Sequence, residues 1–365
     1  MPATRLEIDL SALAHNFAYL KSKLAPEVKI LAVTKAFGYG SDAVAVAATL
    51  ETLGADYFAV AYAKEGVALR KGGIKTPILV LHPQLDSFEL ILQHNLEPNL
   101  YSFRILDAFI AFAETQRLQE YPVHIKFNTG LNRLGFKPGN EEEILDRIAS
   151  AKAVHIKSLF SHLAASEDPA EKDFTLQQIH SFQGISGKMI GGLGYRPILH
   201  QSNTSAILNY PQAQFDMVRA GIGLYGYGNS PEEDAQLKPV ATLKSVISQI
   251  HDIVPGETVG YNRAHKADLP QRSATIPLGH ADGIARAYGN GKGYVVIHGK
   301  KAPILGNVCM DMIMVNVTNI DCEEGDEVIV FGKGASPVTL ANRIDSIAYE
   351  LLTAISQRVD RIITG

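Results

Sequence analysis

From Lys29 onward the chain repeats one rhythm: a short apolar run, a small-residue turn, then a stretch whose apolar positions recur at helical spacing. The runs are KILAVTK, YFAVAYA, PILVLHP, LEPNLYS, VHIKFNTG, IKSLFSHLA, ILHQSN and VRAGIGLYG. They are too short for helices and are bounded by turn formers, as buried strands are. Between most of them lie amphipathic stretches such as SDAVAVAATLETLG, AKEGVALRKGG and DSFELILQHN. About eight strands alternating with helices predict a closed parallel (β/α)8 barrel rather than an open sheet. The fourth run is the weakest strand, and the connection between the seventh and eighth is short.

Near Gly226 the texture changes. YGNSPEEDAQL is a polar loop, and beyond it LKSVISQIHDIV, SATIPLG, GYVVIHG, PILGNVCMDMIMVNV and DEVIVFG read as strands punctuated by Gly, Pro, Asp and Asn. Helical pattern returns only in TLANRIDSIAYELLTAIS, before a last strand RVDRIIT. The expected organisation is an α/β barrel over residues 1–230 and a mostly-β domain over 231–365. Periodicity leaves the amino-terminal strand RLEIDL unassigned between them, and it is a candidate to cross to the second domain.

Composition narrows the function classes. The chain has 365 residues, 46% of them hydrophobic and 20% charged, as in an ordinary soluble globular protein. A net charge of -4 offers no basic field for nucleic acid. The first residues lack the apolar core of a signal peptide, and no uncharged run reaches the ~20 residues of a membrane span. Cys309 and Cys322 are too few for a disulfide framework and wrongly spaced for structural zinc. A cytoplasmic protein is expected.

Barrels of this type place their chemistry where strands end. Those ends carry Lys35, His82, Lys126 with Arg133, His162, Asn203 and Arg219. Singly, each has a plainer explanation: Lys35 as half of a salt bridge, Arg219 paired with nearby Asp216, His162 as a hydrogen-bonded barrel histidine, His82 shaping a turn before Pro83. Together they point to a site. His200–Ser205 ends the seventh strand and opens a short apolar segment, while Gly221-Ile222-Gly223 follows Arg219 on the eighth. Loops after the last two strands are the recurrent phosphate cup of such barrels, although Thr204 and Ser205 taken alone suit helix capping equally well. Gly221, Gly223 and Gly226 satisfy G-x-G-x-x-G, but no helix follows, so a dinucleotide is not expected. The twelve histidines form no metal-ligand cluster. A strand-end lysine beside a phosphate cup suggests a phosphorylated aldehyde held as a Schiff base, and pyridoxal phosphate is the natural candidate.

At this point the motifs become recognisable. AVTKAFGYG resembles the lysine signature of alanine racemases, usually AVVKANAYGHG, and the resemblance continues in order through KFNTGLNRLGF, SHLAAS, HQSNTSA, VRAGIGLYG, VGYNR, GNVCMDMIMV and AYELL. It implies a pyridoxal-phosphate-binding barrel with a β-rich second domain, acting on alanine as a homodimer and supplying D-alanine for peptidoglycan. By similarity Lys35 holds the cofactor and serves as one base. Tyr39, Asn203, Thr204, Gly221, Ile222 and Tyr349 surround the cofactor and its phosphate. Arg219 faces the pyridine nitrogen and His162 the ring. Tyr261, from the other chain, is the second base. Arg133, Met310 and Asp311 fall where the substrate carboxylate and Tyr261 are positioned, and Lys126 matches a lysine often carbamylated in the family.

Two bases on opposite faces of Cα can racemise without the substrate turning over. A tyrosine titrates near pH ~10, so Tyr261 needs nearby cations, for which Arg133, Arg219 and a charged His162 are candidates. Arg219 donates a hydrogen bond but does not surrender its proton, which keeps the pyridine nitrogen unprotonated and the electron sink weak. Phe37, Gly38 and Ser41 depart from the usual Asn, Ala and His, and Asn262-Arg263 replaces a glycine after Tyr261. These departures bear on substrate preference more than reaction type. The rivals are a broader amino-acid racemase accepting, for example, serine, a related decarboxylase, and a non-catalytic pyridoxal-phosphate carrier.

Overall fold

A computed structural model describes residues 2–365. Two compact units are present. The first comprises Ala14–Gly38 and Ala43–Lys238; the second comprises the residues up to Leu13, Tyr39–Asp42 and Pro239–Gly365.

After β1 (Arg5–Asp9), which belongs to the second unit, eight strands close a barrel: β2 (Lys29–Val33), β3 (Tyr57–Val60), β4 (Ile78–Val80), β5 (Glu97–Leu100), β6 (Tyr121–Lys126), β7 (Val154–Phe160), β8 (Ile198–His200) and β9 (Met217–Ala220). They pair in parallel and in chain order, and β9 returns to β2 through Lys29↔Met217 and Leu31↔Arg219. The parallel barrel expected from the eight apolar runs is thus present. β3, β4 and β9 are buried along their whole length, because strands covered on both faces have no solvent side to alternate toward. The connection after β8 carries the short helix Thr204–Asn209.

The second unit is mostly β, as the texture after Gly226 predicts. Its strands are β10 (Ala241–Val246), β11 (Gln249–Ile253), β12 (Thr258–Val259), β13 (His265–Lys266), β14 (Gln271–Ile276), β15 (Tyr294–Ile297), β16 (Lys300–Leu305), β17 (Ile313–Asn316), β18 (Glu327–Phe331) and β19 (Asp360–Thr364). Nine strands form one sheet in the order β11-β14-β17-β16-β15-β18-β10-β1-β19. RLEIDL therefore lies in this sheet, antiparallel to β10 and parallel to β19. The segment TLANRIDSIAYELLTAIS yields two short helices, Pro337–Asn342 and Ala348–Thr353, interrupted where Asp345 turns left-handed at φ 54°.

Among the described residues no helix is long and apolar enough to cross a membrane. No group of three or more His, Cys, Asp or Glu among them could hold a metal ion.

Candidate active site

Lys35 follows β2 by one residue. The chain then makes a left-handed turn, with φ of 53°, 57° and 66° at Ala36, Phe37 and Gly38, a conformation that costs L-residues energy unless their surroundings hold it. Glu65 is what holds it. Its carboxylate accepts N–H bonds from Ala36 (2.6 Å), Ala61 (2.7 Å) and Tyr62 (3.1 Å), joining the turn after β2 to that after β3.

Burial, and then the Arg133 guanidinium, lower the Lys35 pKa against an opposing pull from Glu65. Lys126, at the end of β6, is pushed down to about 7 by burial and by Arg133, Arg219 and Lys35. Arg133 rides on the loop after β6, which Asn128 shapes by accepting from the N–H groups of Gly130 (3.2 Å) and Asn132 (2.9 Å). Lys35, Lys126, Arg133 and Arg219 thus form a patch of four basic side chains at the ends of β2, β6 and β9, a ready seat for anions.

Arg219, on β9, is only 4% exposed. Its Nη atoms donate to His200 Nδ1 (3.0 Å), His162 Nδ1 (2.9 Å) and the carbonyls of Ser161 (2.7 Å), Gln201 (2.9 Å) and His200 (3.3 Å). Burial, then Arg133, bring its pKa to about 9, so it stays charged at neutral pH. Two sequence expectations are corrected here. Asp216 does not pair with Arg219; it binds Arg196 (3.0 Å) and the Leu199 N–H (2.8 Å). His162 is not a cation, because burial and the neighbouring Arg219, Lys126, Arg133 and Lys35 push its pKa well below the usual histidine range. His162 does sit against Arg219, and its Nδ1 is the acceptor.

The cup after β8 and β9 is built by Asn203 and Thr204. Asn203 caps the helix Thr204–Asn209, accepting the Ala206 N–H at 3.0 Å and the Ser166 hydroxyl at 2.8 Å. Thr204 Oγ1 accepts the N–H groups of Gly221 (3.0 Å) and Gly223 (3.4 Å), drawing the loop after β9 against the helix start. Ser205 Oγ turns away to Asn229. The side chains of Asn203, Thr204 and Ser205 therefore cap and brace, and the backbone N–H groups of Thr204, Ser205 and Ile222 are left without a protein partner among the described residues. His82 contacts Gln84 and lies between the Tyr62 and Tyr101 rings, outside this group.

The second unit carries the other residues singled out in the sequence. Tyr39 is buried with its ring 6.0 Å from that of Tyr349, and burial, then Tyr349, raise its pKa so that it remains a phenol. Next to it, Gly40 has φ 81°, and a Cβ there would lie 2.1 Å from the Leu352 carbonyl oxygen, so no other residue fits. Tyr261 is 73% exposed on a turn where Asn262 and Arg263 are both left-handed, and Asn307 donates to its carbonyl at 3.1 Å. Met310 is 59% exposed, while its carbonyl is fixed by the Ala281 N–H at 2.9 Å. Asp311 accepts from Arg358 Nη2 at 2.7 Å, and Arg358 also grips Asp282 at 2.7 and 3.1 Å. Sequence reasoning missed Arg358, Glu65 and His200. Arg358 and Glu65 lie outside any motif, whereas His200 opens the HQSNTSA run and was passed over as part of the cup.

A parallel barrel that ends its first strand in a lysine, buries a guanidinium and leaves backbone donors free beyond its last two strands defines a class: barrels that handle a small anionic molecule with a lysine amine. Comparison with known proteins is specific. The chain matches the family models for the alanine racemase N-terminal domain over residues 8–229 and the alanine racemase C-terminal domain over residues 240–363. It belongs to the alanine racemase family, isomerases acting on amino acids. The alanine racemase of Halothermothrix orenii is 37% identical over 370 residues, covering 98% of this chain and 96% of that protein. The solved alanine racemase of Clostridium difficile superposes with a TM-score of 0.92 at 34% identity, covering 100% of this chain and 96% of that one. The alanine racemase of Bartonella henselae, solved with covalently bound pyridoxal phosphate, gives a TM-score of 0.91 at 27% identity, covering 100% of both chains.

Proposed function

We propose that this chain is a pyridoxal-phosphate enzyme that interconverts L-alanine and D-alanine in the cytoplasm, supplying D-alanine for cell-wall peptidoglycan. It works as a homodimer, each site joining Lys35 of one copy to Tyr261 of the partner subunit.

The residues present fit that cofactor. The backbone N–H groups of Thr204, Ser205 and Ile222 belong to residues that are nearly inaccessible, and three unsatisfied buried donors are a costly arrangement unless an anion such as a phosphate takes them. Tyr39, Tyr349 and Gly221 complete the set assigned to the cofactor. Among the described residues the hydrogen bonds of Arg219 all come from its Nη atoms, which leaves Nε–H to donate, and a donor-only group suits an unprotonated ring nitrogen. The bound cofactor would supply an electron sink that makes the Cα proton removable.

Lys35 removes or returns that proton on one face, because burial and Arg133 favour its neutral amine. Tyr261 serves the opposite face. Arg133 binds the substrate carboxylate, and Met310 and Asp311 line its approach, with Arg358 fixing Asp311. Arg219 keeps its own proton, which limits the sink and favours reprotonation of Cα over loss of the amino group. Lys126, substantially neutral near pH 7, has the form that attacks carbon dioxide. The N–C bond forms, one proton leaves, and the resulting carbamate would put an anion beside Arg133.

The observation that carries this reading is the Lys35 amine close to Arg133 and Lys126, in a barrel whose Thr204, Ser205 and Ile222 N–H groups have no protein partner among the described residues. Incubation with L-alanine, with and without added pyridoxal phosphate, followed by chiral analysis should give a racemic mixture only with cofactor. Failure to form D-alanine from a protein that has taken up the cofactor would reject it, and a parallel L-serine reaction measures breadth.

A further inference from the structure

The barrel interior between β5 and β9 carries a layer of polar side chains where barrels ordinarily stack branched apolar ones. Each of five neighbouring strands supplies one member: Glu97, His124, Ser158, His200 and Arg219. They touch in that order. Glu97 Oε2 lies 2.7 Å from His124 Nε2, His124 Nδ1 lies 2.5 Å from Ser158 Oγ, Ser158 Oγ lies 2.9 Å from His200 Nε2, and His200 Nδ1 lies 3.0 Å from Arg219 Nη1. His124, Ser158 and His200 are fully buried. A register shift between Val123 and His124 in the β6–β7 pairing sets His124 beside Ser158.

With both histidines neutral, the chemistry of the two ends leaves one direction for every proton. A guanidinium has donors only, so His200 Nδ1 must accept and its proton must sit on Nε2. That N–H points at Ser158 Oγ, whose single proton must then go to His124 Nδ1. The remaining His124 proton sits on Nε2 and ends on Glu97, which as a carboxylate only accepts. The Phe160 ring stacks on His200 at 4.7 Å and 10°, so the imidazole cannot swing out of line. Around Glu97, the Tyr57 phenol and the Arg70 guanidinium interact with the carboxylate electrostatically.

We infer that Glu97, His124 and Ser158 are positioning residues for the racemase reaction: through His200 they hold a side-chain acceptor on the Arg219 guanidinium and connect that buried charge, across four strands, to a carboxylate. Arg219 thereby keeps one orientation and one protonation state toward the cofactor ring. The use of the relay in catalysis rests on the proposed function above; the relay itself does not.

Two measurements separate these. In cofactor-free protein labelled with 15N-histidine, nitrogen–proton correlation spectra at neutral pH should show His124 and His200 both neutral and both in the Nε2–H form. An Nδ1–H form or an imidazolium at either residue overturns the relay, whatever the enzyme does. In the loaded enzyme, Ser158→Ala removes the middle link, while Glu97→Gln keeps an acceptor but deletes the charge at the partly exposed end. Ser158→Ala should lower kcat on the order of tenfold with KM changed less than twofold, the scale of one buried hydrogen bond, and should shift the bound cofactor's absorption band. Glu97→Gln should do the same to a smaller degree, and it stands as the test if Ser158→Ala does not fold. A fall in Tm with unchanged kcat and absorption would make the layer merely structural and overturn the positioning role.

Discussion

The two units treat their functional residues in opposite ways. In the barrel, Lys126 and Arg219 are nearly inaccessible, His162 is partly covered, and burial is the first cause of a lowered pKa at Lys35, Lys126, His162 and Arg219 alike. In the β unit Tyr39 is buried and kept a phenol, but Tyr261, Met310 and Tyr349 are 73%, 59% and 42% exposed, and what is controlled around them is backbone shape and ion pairing, through left-handed turns and the Arg358 clamp. The barrel tunes protonation; the β unit presents side chains. An exposed residue has little of its own environment to tune it, so on the proposed reading Tyr261 acquires its setting from the barrel of the partner subunit.

The widest gap should appear when each unit loses its base. Lys35→Ala and Tyr261→Phe should each lower activity by on the order of 10³-fold or more, and borohydride should fix the cofactor to the Lys35 peptide in the parent and in Tyr261→Phe. Purified heterodimers of the two variants should regain activity, since one site receives both intact bases while the other collects both lesions. Differently tagged chains that stay as inactive as the single variants would reject the shared site.

Arg219→Glu strikes the barrel's tuning directly. It removes five donated hydrogen bonds and places an acid where a donor-only group stood. Racemisation should fall about 10²-fold while pyruvate formation from alanine rises, which a coupled pyruvate assay detects. Unchanged partition between the two products would mean Arg219 is only a brace.

Stability against pH sharpens the contrast further. The Lys126 pKa is about 7 in the folded chain against an ordinary 10.5. Between those values the unfolded chain binds the extra proton, so Lys126 makes stability rise with pH, by at most about 1.4 kcal/mol per pH unit. Below about pH 7 its burial penalty is present in full. In cofactor-free protein freed of carbon dioxide, denaturant titrations of Lys126→Met should lack this slope; an identical slope in parent and variant would show that Lys126 is not the group responsible.

The smallest effect belongs to the exposed unit. Arg358→Lys loses the fork that spans Asp282 and Asp311, and KM for alanine should rise a few-fold with kcat little changed. A loss in kcat equal to that of Tyr261→Phe would place Arg358 in the chemistry itself.

Most barrel strands were legible because they are short apolar runs and the alternation with helices survives in one dimension; β5, EPNL, was the weakest because polar residues and a proline interrupt it. Lys35 was legible because it stands where such a run stops. The (β/α)8 architecture and the mostly-β texture after Gly226 are properties of neighbouring residues, and the motif order from AVTKAFGYG to AYELL is enough to assign the family. Partnerships were not legible. Asp216 was the carboxylate nearest Arg219 along the chain, yet it serves Arg196. The neutrality of His162 comes from burial first, and then from four basic side chains brought in from β9, β6, the loop after β6 and the turn after β2. Glu97, His124 and Ser158 stand on three different strands, separated by 27 and 34 positions, and only the pairing of β5, β6 and β7 makes them one hydrogen-bonded layer. RLEIDL reads as a strand in any setting, but its two pairing partners begin more than two hundred residues away. Periodicity along the chain determines which segments are strands and where they stop. Burial, protonation and hydrogen-bond direction depend on distances through space, and those exist only once the sheet has closed.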